Sequence, residues 1–581
     1  MIPLLPQNDP SCASRIAELV RARDEYRFDY SYHDTLQLPE LPLADKIDAN
    51  YYTGLGRMSL KAAVNKVEAS GDLHDAHHDP HTPHDLLGRL KRIGDNALDF
   101  VRGLADQVSG EADASNNAHP VASLSEYDRA YQSLPAPLSM GQTDNDEFFA
   151  WQALAGCNPI MLERMTAVPE KLALTQDLYR ASVGDHDSLE QGLREGRVFV
   201  ADYADLEGVQ AGTTDGRQKF VWAPIAVYAW RPNHLDQPGA LVPVCVQIGQ
   251  TAGSKVFSPA DGVSWRMAKA VVAVADSQVQ GLMTHFGACH LVMEAVAIAM
   301  KRQLAPQHPL RLLLTKHTEN TLLANDYCKT SLTNPGGVVD RLQAQVLSDS
   351  MRLCQQAVSR FRLMASSPLE DGARRGVLDT RALPIYPHRD DQILVWRAVE
   401  KWIDSYVRLY YGSDAEVERD VELQGFVAEL GADDGGRLQD IGPVVTVSRL
   451  VDLMARVVFR ASAFHATINY SLYDFTYAPN GPTSAFGPGP EGGDGEPDLL
   501  KMLPPWNIAY EVIQIYWALQ TRLNRLGLYE HSFSDDRLLP ALEAFRAVLS
   551  EIDARIDRTN ASRPWPYVFS KPALITESIH V

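Results

Sequence analysis

The stretch of sequence that decides the fold runs from Asp261 to Leu304 and reads DGVSWRMAKAVVAVADSQVQGLMTHFGACHLVMEAVAIAMKRQL. It is a long and nearly uninterrupted apolar segment, which is typical of a helix that runs through the middle of a large helical domain. The few polar side chains near its centre are Asp276, Gln278, Gln280, His285, His290 and Glu294. A buried helix must give each of these imidazole nitrogens a hydrogen-bond partner or a metal.

Gln280, His285 and His290 follow one another at intervals of five residues. On an ordinary α-helix, residues i and i+5 lie ~140° apart, so these three side chains would not share one face. A π-bulge brings i and i+5 close together, and such bulges are frequent at functional sites. Two interpretations therefore stay open at this point: these are core histidines satisfied by hydrogen bonds, or they belong to a metal site. For this helix taken alone, the interpretation as core histidines is the stronger.

A second apolar helix carries a further pair of polar side chains. The segment MARVVFRASAFHATINYSLYDF (454–475) places His465 and Asn469 at positions i and i+4, so both side chains point the same way. An imidazole and a carboxamide on one buried face are unusual in a plain core. The two histidine-bearing helices could converge on one metal ion, which the pattern makes possible without proving it.

The rest of the chain predicts a mainly α protein with one small β-sheet. The first 155 residues resemble helices separated by polar loops, and one loop (70–83) holds His74, His77, His78 and His81, with His84 following, where we expect only adventitious metal binding. Residues 197–249 are β-branched and aromatic with a period of two, which indicates a small sheet. From residue 264 to 581 the chain is helical, with long amphipathic patterns over 265–304, 340–364, 390–412, 446–471, 507–527 and 538–559. We interpret residues 1–581 as a single domain.

Composition excludes several classes of partner. The 581 residues are 45% hydrophobic and carry a formal net charge of -20, which argues against nucleic acid or an anionic membrane surface as the main partner. A small-molecule lipid remains compatible, because one buried cation can hold a carboxylate. The six scattered cysteines form no C-x-x-C pair, and no signal peptide or uncharged apolar run of ~18 residues is present. We expect a cytoplasmic protein, without a transmembrane segment, that works as a monomer.

Both histidine-bearing segments resemble the signature of the lipoxygenase family. The first segment has the matching residues Trp265, Ala268, Lys269, His285, His290, Glu294, Arg302, Gln303, Leu304, His308 and Pro309, and the second has Ser462, Ala463, His465, Ala466 and Asn469. RRGVLD (374–379), LPIYPHRDD (383–391) and the stretch 402–424 are also similar to family segments. The resemblance implies a large helical domain around a long central helix with a π-bulge. The chain resembles the short bacterial members of the family, which lack the N-terminal β-barrel.

The resemblance also implies one non-haem iron. Family members hold it with two histidines five apart on the long helix, a histidine and usually an asparagine on the second helix, and the carboxylate of the last residue. The spacings from Trp265 and to Glu294 place the expected ligands at His285, His465, Asn469 and Val581, with the first histidine position at Gln280, a weak or absent ligand. This assignment of the histidine positions, or frame, gives the iron two histidines and one carboxylate as strong ligands. His290, Glu294 and Asp276 would lie around these ligands. The alternative frame, which pairs His285 with His290, would break both spacings.

The activity that the resemblance implies is insertion of O2 into an unsaturated fatty acid or related acyl chain, giving a hydroperoxide. Family positions that line the substrate and oxygen pocket fall on Cys328, Leu332 and Val339, and Cys328 stands where the family often has alanine or glycine. Two alternatives remain open. One is a diverged non-haem iron oxygenase or oxidase that uses the altered ligand set on another substrate. The other is a lipid-binding pseudoenzyme.

Overall fold

The computed structural model describes residues 3–70, 121–235, 237–529 and 532–581, so the histidine-rich loop lies outside the described residues. Helices dominate the chain, as predicted. Besides the two helices treated below, the α-helices are Cys12–Glu25, Leu43–Lys46, Ala49–Ser70, Asp146–Ala155, Gln176–Val183, Leu189–Arg194, Pro309–His317, Thr321–Tyr327, Val338–Leu342, Leu347–Arg360, Pro368–Arg374, Pro387–Tyr410, Asp414–Arg419, Val421–Gly431, Leu472–Phe475, Glu496–Met502, Trp506–Ala518 and Leu539–Asn560.

The central helix runs without interruption from Val263 to Gln303. It is α-helical over Val263–Gln278, a π-helix over Val279–Leu291, and α-helical again over Val292–Gln303. The predicted π segment is therefore confirmed. The helix is long and apolar enough to cross a membrane, but 94% of its most apolar window is buried inside the protein, as expected for the core of a helical domain.

The second helix, Val447–Asn469, contains a π segment of its own. The α-helix Val447–Phe459 passes into π geometry over Arg460–Phe464 and returns to α over His465–Asn469. At this place the hydroxyl of Ser462 donates a hydrogen bond to the carbonyl of Val458, four residues back, a contact that competes with the regular backbone ladder. Sequence analysis did not predict this second π segment.

The small sheet is antiparallel and five-stranded. Its strands are β1 (Glu163–Arg164), β2 (Val198–Asp202), β5 (Ile225–Arg231), β6 (Ala240–Gln247) and β7 (Val256–Phe257), in that order across the sheet, while β3 (Thr213–Thr214) and β4 (Arg217–Gln218) form a separate pair. The sheet predicted over 197–249 is confirmed, with β1 and β7 added at its edges. The register between β5 and β6 shifts at Val227 and Tyr228, opposite Pro243, which has no N–H to donate.

One predicted helix ends early, and its end matters for the site. The pattern over 507–527 predicts one helix, but the structure ends it at Ala518, where the hydroxyl of Thr521 donates to the Ala518 carbonyl. The next carbonyl, that of Leu519, accepts a hydrogen bond of 3.0 Å from the Asn469 carboxamide. The early helix end therefore orients a side chain of the candidate metal centre. The single-domain interpretation of the chain remains a prediction.

Candidate metal centre

Three histidines of the two π-containing helices meet in the core. The Nε2 atom of His285 lies 3.0 Å from Nε2 of His465 and 3.2 Å from Nε2 of His290. One ligand atom from each ring lies within 4.8 Å of the others, and all three residues are buried. The convergence of the two helices, which the sequence made possible, is therefore present in the structure.

The structure brings together a different set of histidines from the one expected on the central helix. The ring that joins His285 and His465 is His290, whereas the sequence interpretation placed His290 outside the ligand set and gave its position to Gln280. The physical reason is that a π-helix aligns i with i+5 for both pairs, 280 with 285 and 285 with 290, so the periodicity could not choose between them. With His290 in place, the cluster holds three imidazoles where the sequence interpretation expected two.

Gln280 and Asp276 belong to a separate cavity beside the central helix. The Gln280 carboxamide donates a 2.8 Å hydrogen bond to the carbonyl of Ile468, and both Gln280 and Asp276 line this cavity. Asp276 accepts hydrogen bonds from the hydroxyl of Tyr203 (2.9 Å) and from Asn158 (3.2 Å). Burial raises the pKa of Asp276 to about 7, against the opposing effect of these two donors. Asp276 makes no hydrogen bond to the three imidazoles, and its expected place around the ligands stays a prediction.

Burial keeps the three imidazoles uncharged. It lowers the pKa of His290 to about 4 and holds the pKa values of His285 and His465 well below the usual range, with the neighbouring rings adding to the effect at the last two. A neutral imidazole has one nitrogen with a lone pair, which is the form that binds a metal. The cluster is therefore in the protonation state that a metal site requires.

The donor geometry fits a single metal ion. Two ligands at right angles, each ~2.1 Å from one ion, would have their donor atoms ~3.0 Å apart, close to the separations between the Nε2 atoms here. The Oδ1 atom of Asn469 is buried and has no hydrogen-bond partner, while its Nδ2 is held by Leu519. An orphaned buried oxygen is costly unless a further partner takes it. Three imidazoles and a carboxamide oxygen suit iron or a similar divalent metal.

The last residues of the chain are buried close to this cluster. Ile579, His580 and Val581 have exposed fractions of 0%, 1% and 9%, and the main chain of Val581 lies beside the His465 ring, whose Nδ1 has no hydrogen-bond partner. The hydroxyl of Thr321 donates to the carbonyl of Ile579 at 2.9 Å, and the His317 ring bonds the carbonyl of Glu577 at 2.7 Å. These contacts fix the course of the buried main chain before Val581.

Two other groups of predicted residues have different outcomes. Glu294 is buried and accepts a hydrogen bond of 2.8 Å from Asn325, whose Oδ1 lies 2.8 Å from Nδ1 of His290. Sequence reasoning missed Asn325, because it lies on another helix, Thr321–Tyr327, in a segment without an unusual pattern. Cys328 and Leu332 lie in a short π segment, Cys328–Leu332, and Leu332 and Val339 pack at the edge of the core, so their role as a substrate pocket stays a prediction.

Comparison with known proteins agrees with this architecture. A family model described as Lipoxygenase matches residues 125–565. The chain is 33% identical over 521 residues to the linoleate 9/13-lipoxygenase of Pseudomonas aeruginosa, covering 85% of this chain and 74% of that protein. It is also 33% identical over 450 residues to the hydroperoxide isomerase ALOXE3 of Homo sapiens, covering 75% of this chain and 62% of that protein. The chain belongs to the lipoxygenase family.

Solved structures show the same fold. A calcium-dependent 11R-lipoxygenase superimposes with a TM-score of 0.83 at 21% identity, covering 100% of this chain and 83% of that one. A lipoxygenase crystallised anaerobically with arachidonate gives a TM-score of 0.84 at 23% identity, covering 100% of this chain and 84% of that one. The predicted fold class, a mainly α lipoxygenase-type domain with a small sheet, is confirmed.

Proposed function

We propose that this protein is a non-haem iron dioxygenase that inserts O2 into a polyunsaturated fatty acid or a related acyl chain and releases a hydroperoxide. The observation that carries the proposal is the cluster of three buried, neutral imidazoles with Nε2 separations of 3.0 and 3.2 Å. Membership of the lipoxygenase family supports it independently.

In this proposal His285, His290 and His465 hold the iron, Asn469 contributes its free Oδ1, and the main-chain carboxylate of Val581 completes the set. Iron held by these residues would supply the oxidant that removes a hydrogen atom (one electron and one proton) from a methylene between two cis double bonds. O2 would add to the carbon radical, and return of one electron and one proton would give the hydroperoxide. The protein residues orient the donors: Leu519 fixes the Asn469 carboxamide and Asn325 fixes the His290 ring. Burial excludes water from the imidazoles, which strengthens each of these electrostatic contacts.

The proposed ligand set does not need Gln280, because His290 supplies the second imidazole of the central helix. The amide nitrogen of Gln280 donates to the carbonyl of Ile468, and the residue lines the neighbouring cavity. The hypothesis of a diverged oxygenase rested on Gln280 as an altered ligand, whereas the cluster of three imidazoles supports the ordinary ligand set. We propose that Cys328, Leu332 and Val339 line the substrate and oxygen pocket, as expected from the family positions.

The test combines metal content with product analysis. The purified full chain should contain about one iron per chain, and with linoleate it should consume O2 and form a conjugated diene hydroperoxide. His465→Ala is the control, since it removes one imidazole and should abolish both signals. Iron that cannot be restored to the wild-type protein would favour the lipid-binding pseudoenzyme instead.

A second reaction needs its own assay, because one relative is named a hydroperoxide isomerase. The protein should be incubated with linoleate and, separately, with linoleate hydroperoxide. We expect consumption of O2 with linoleate. Conversion of the hydroperoxide alone, without O2 uptake from linoleate, would replace the dioxygenase proposal by an isomerase.

A further inference from the structure

Asn325 stands at the junction of three buried groups. It is 4% exposed and lies on the helix Thr321–Tyr327, which packs against the central helix. Its Oδ1 is 2.8 Å from Nδ1 of His290, and its Nδ2 is 3.1 Å from the main-chain carbonyl of His290 and 2.8 Å from Oε2 of Glu294. A single carboxamide therefore contacts both the ring and the backbone of one member of the cluster.

The partners of Asn325 fix the direction of every hydrogen bond. A main-chain carbonyl can only accept, and the Glu294 oxygen acts here as the acceptor, so both protons of the Asn325 amide are used. The Oδ1 atom must then accept, and the donor is Nδ1–H of His290. An imidazole that carries its proton on Nδ1 leaves the lone pair on Nε2, the atom that faces His285 at 3.2 Å.

Glu294 is itself held in place, which makes the chain of contacts rigid. Its Oε1 accepts a hydrogen bond of 3.0 Å from the main-chain N–H of Leu38, and the residue is 2% exposed. The acceptor oxygen of Glu294 behind the amide polarises the carboxamide and increases the acceptor strength of Oδ1, since hydrogen bonds in a chain reinforce one another. The His290 ring thus has one orientation and one tautomer in the ligand-free protein.

We propose that Asn325 is a positioning residue for the metal: it selects the Nδ1–H tautomer of His290 and aims the Nε2 lone pair into the cluster, with Glu294 as its support. This inference rests on the proposed function for the identity of the metal, and it adds a residue that the sequence motifs did not indicate. Asn325 acts through His290 and does not itself touch the metal.

The direct test measures metal binding by the full chain rather than turnover. Apo-protein is titrated with Co²⁺ against a competing chelator, and the visible absorption of the bound Co²⁺ reports its ligand environment. Asn325→Leu should weaken Co²⁺ binding by ~10–100-fold, the usual effect of removing a partner behind a ligating histidine, and should change the absorption bands. Unchanged affinity and an unchanged spectrum would overturn the proposal.

A charge-swapped pair separates positioning from general damage to the core. Asn325→Asp still accepts from His290 but faces the Glu294 carboxylate, so it should bind Co²⁺ more weakly than wild type. Adding Glu294→Gln supplies a donor to that aspartate, and the double variant should recover to within about threefold of wild-type affinity. If the double variant binds no better than Asn325→Asp, the hydrogen-bond chain is not the cause.

The matched control is Asn65→Leu. Asn65 is 0% exposed and is bonded to the Ala130 carbonyl, to Tyr510 and to three main-chain N–H groups, on a helix (Ala49–Ser70) that contributes nothing to the cluster. It should lose thermal stability without losing Co²⁺ affinity. Metal binding and oxygenation are read separately, so a wild-type protein that binds Co²⁺ but leaves linoleate unchanged would refute the proposed function while leaving this inference intact.

Discussion

Replacing Gln280 and His290 in turn distinguishes the two frames that the central helix allows. His290→Ala removes one of three imidazoles, so metal affinity should fall at least ~100-fold, which corresponds to ~2.7 kcal/mol at 25 °C. Loss of a residue that only supports a ligand costs up to ~100-fold, and loss of the ligand itself should cost no less. Gln280→Ala removes the donor to the Ile468 carbonyl. A buried acceptor left without its donor costs ~1–3 kcal/mol of folding stability, but metal affinity should change by less than about threefold.

The assay pairs Co²⁺ competition titrations with thermal unfolding of the metal-free protein. Gln278→Ala serves as the control for Gln280→Ala, since Gln278 is also buried on the central helix and its amide donates to the carbonyls of Val274 and Thr483. Both glutamine variants should unfold at lower temperature and bind Co²⁺ normally. A Gln280→Ala protein that loses Co²⁺ as completely as His290→Ala would refute the assignment of position 290.

Three further predictions follow from the buried charges and from the tail. The folded protein keeps a proton on Asp276 up to about pH 7, whereas the unfolded chain releases it near pH 4. Asp276 therefore makes the free energy of unfolding fall as the pH rises between those two values. Asp276→Asn should flatten the corresponding decline of Tm. Arg460 is 5% exposed and forms no ion pair among the residues that the structure describes, whereas Arg456 is paired with Glu370. Arg460→Met should therefore leave Tm unchanged or raise it, and Arg456→Met should lower it. A lower Tm for both variants would count against this explanation. Adding a glycine after Val581 should reduce the iron content measured by mass spectrometry with little change in the circular dichroism spectrum, and full iron content would exclude a terminal ligand at this position.

Most of the fold could be predicted from the sequence because the patterns that encode it are long. The apolar stretch 265–304 became the central helix Val263–Gln303, and the patterns 390–412 and 538–559 became Pro387–Tyr410 and Leu539–Asn560. The pattern 340–364 became two helices, Val338–Leu342 and Leu347–Arg360, separated where the chain at Gln345 bridges to Ala211. Such a break depends on a distant partner, which periodicity does not record.

Only part of the candidate metal centre could be predicted from the sequence. His465 and Asn469 could be paired because i and i+4 share a face of any α-helix. The sequence interpretation chose Gln280 over His290 from the spacings to Trp265 and Glu294. The helical periodicity gave no check on that choice, because a π-helix with three polar residues at five-residue intervals offers two equivalent pairs. Asn325 could not be found at all, since its role arises from packing between two helices and not from its own neighbours in sequence.

The π segments also restrict how a gene for this protein could change. Point substitutions outside the cluster leave the five-residue spacing of His285 and His290 intact. Deletion of a single codon between them would shorten their spacing from five residues to four. It would also rotate every later side chain of the helix by ~100° relative to the earlier ones. Insertions and deletions within 279–291 or 460–464 should therefore be far less tolerated than amino-acid replacements in the same segments.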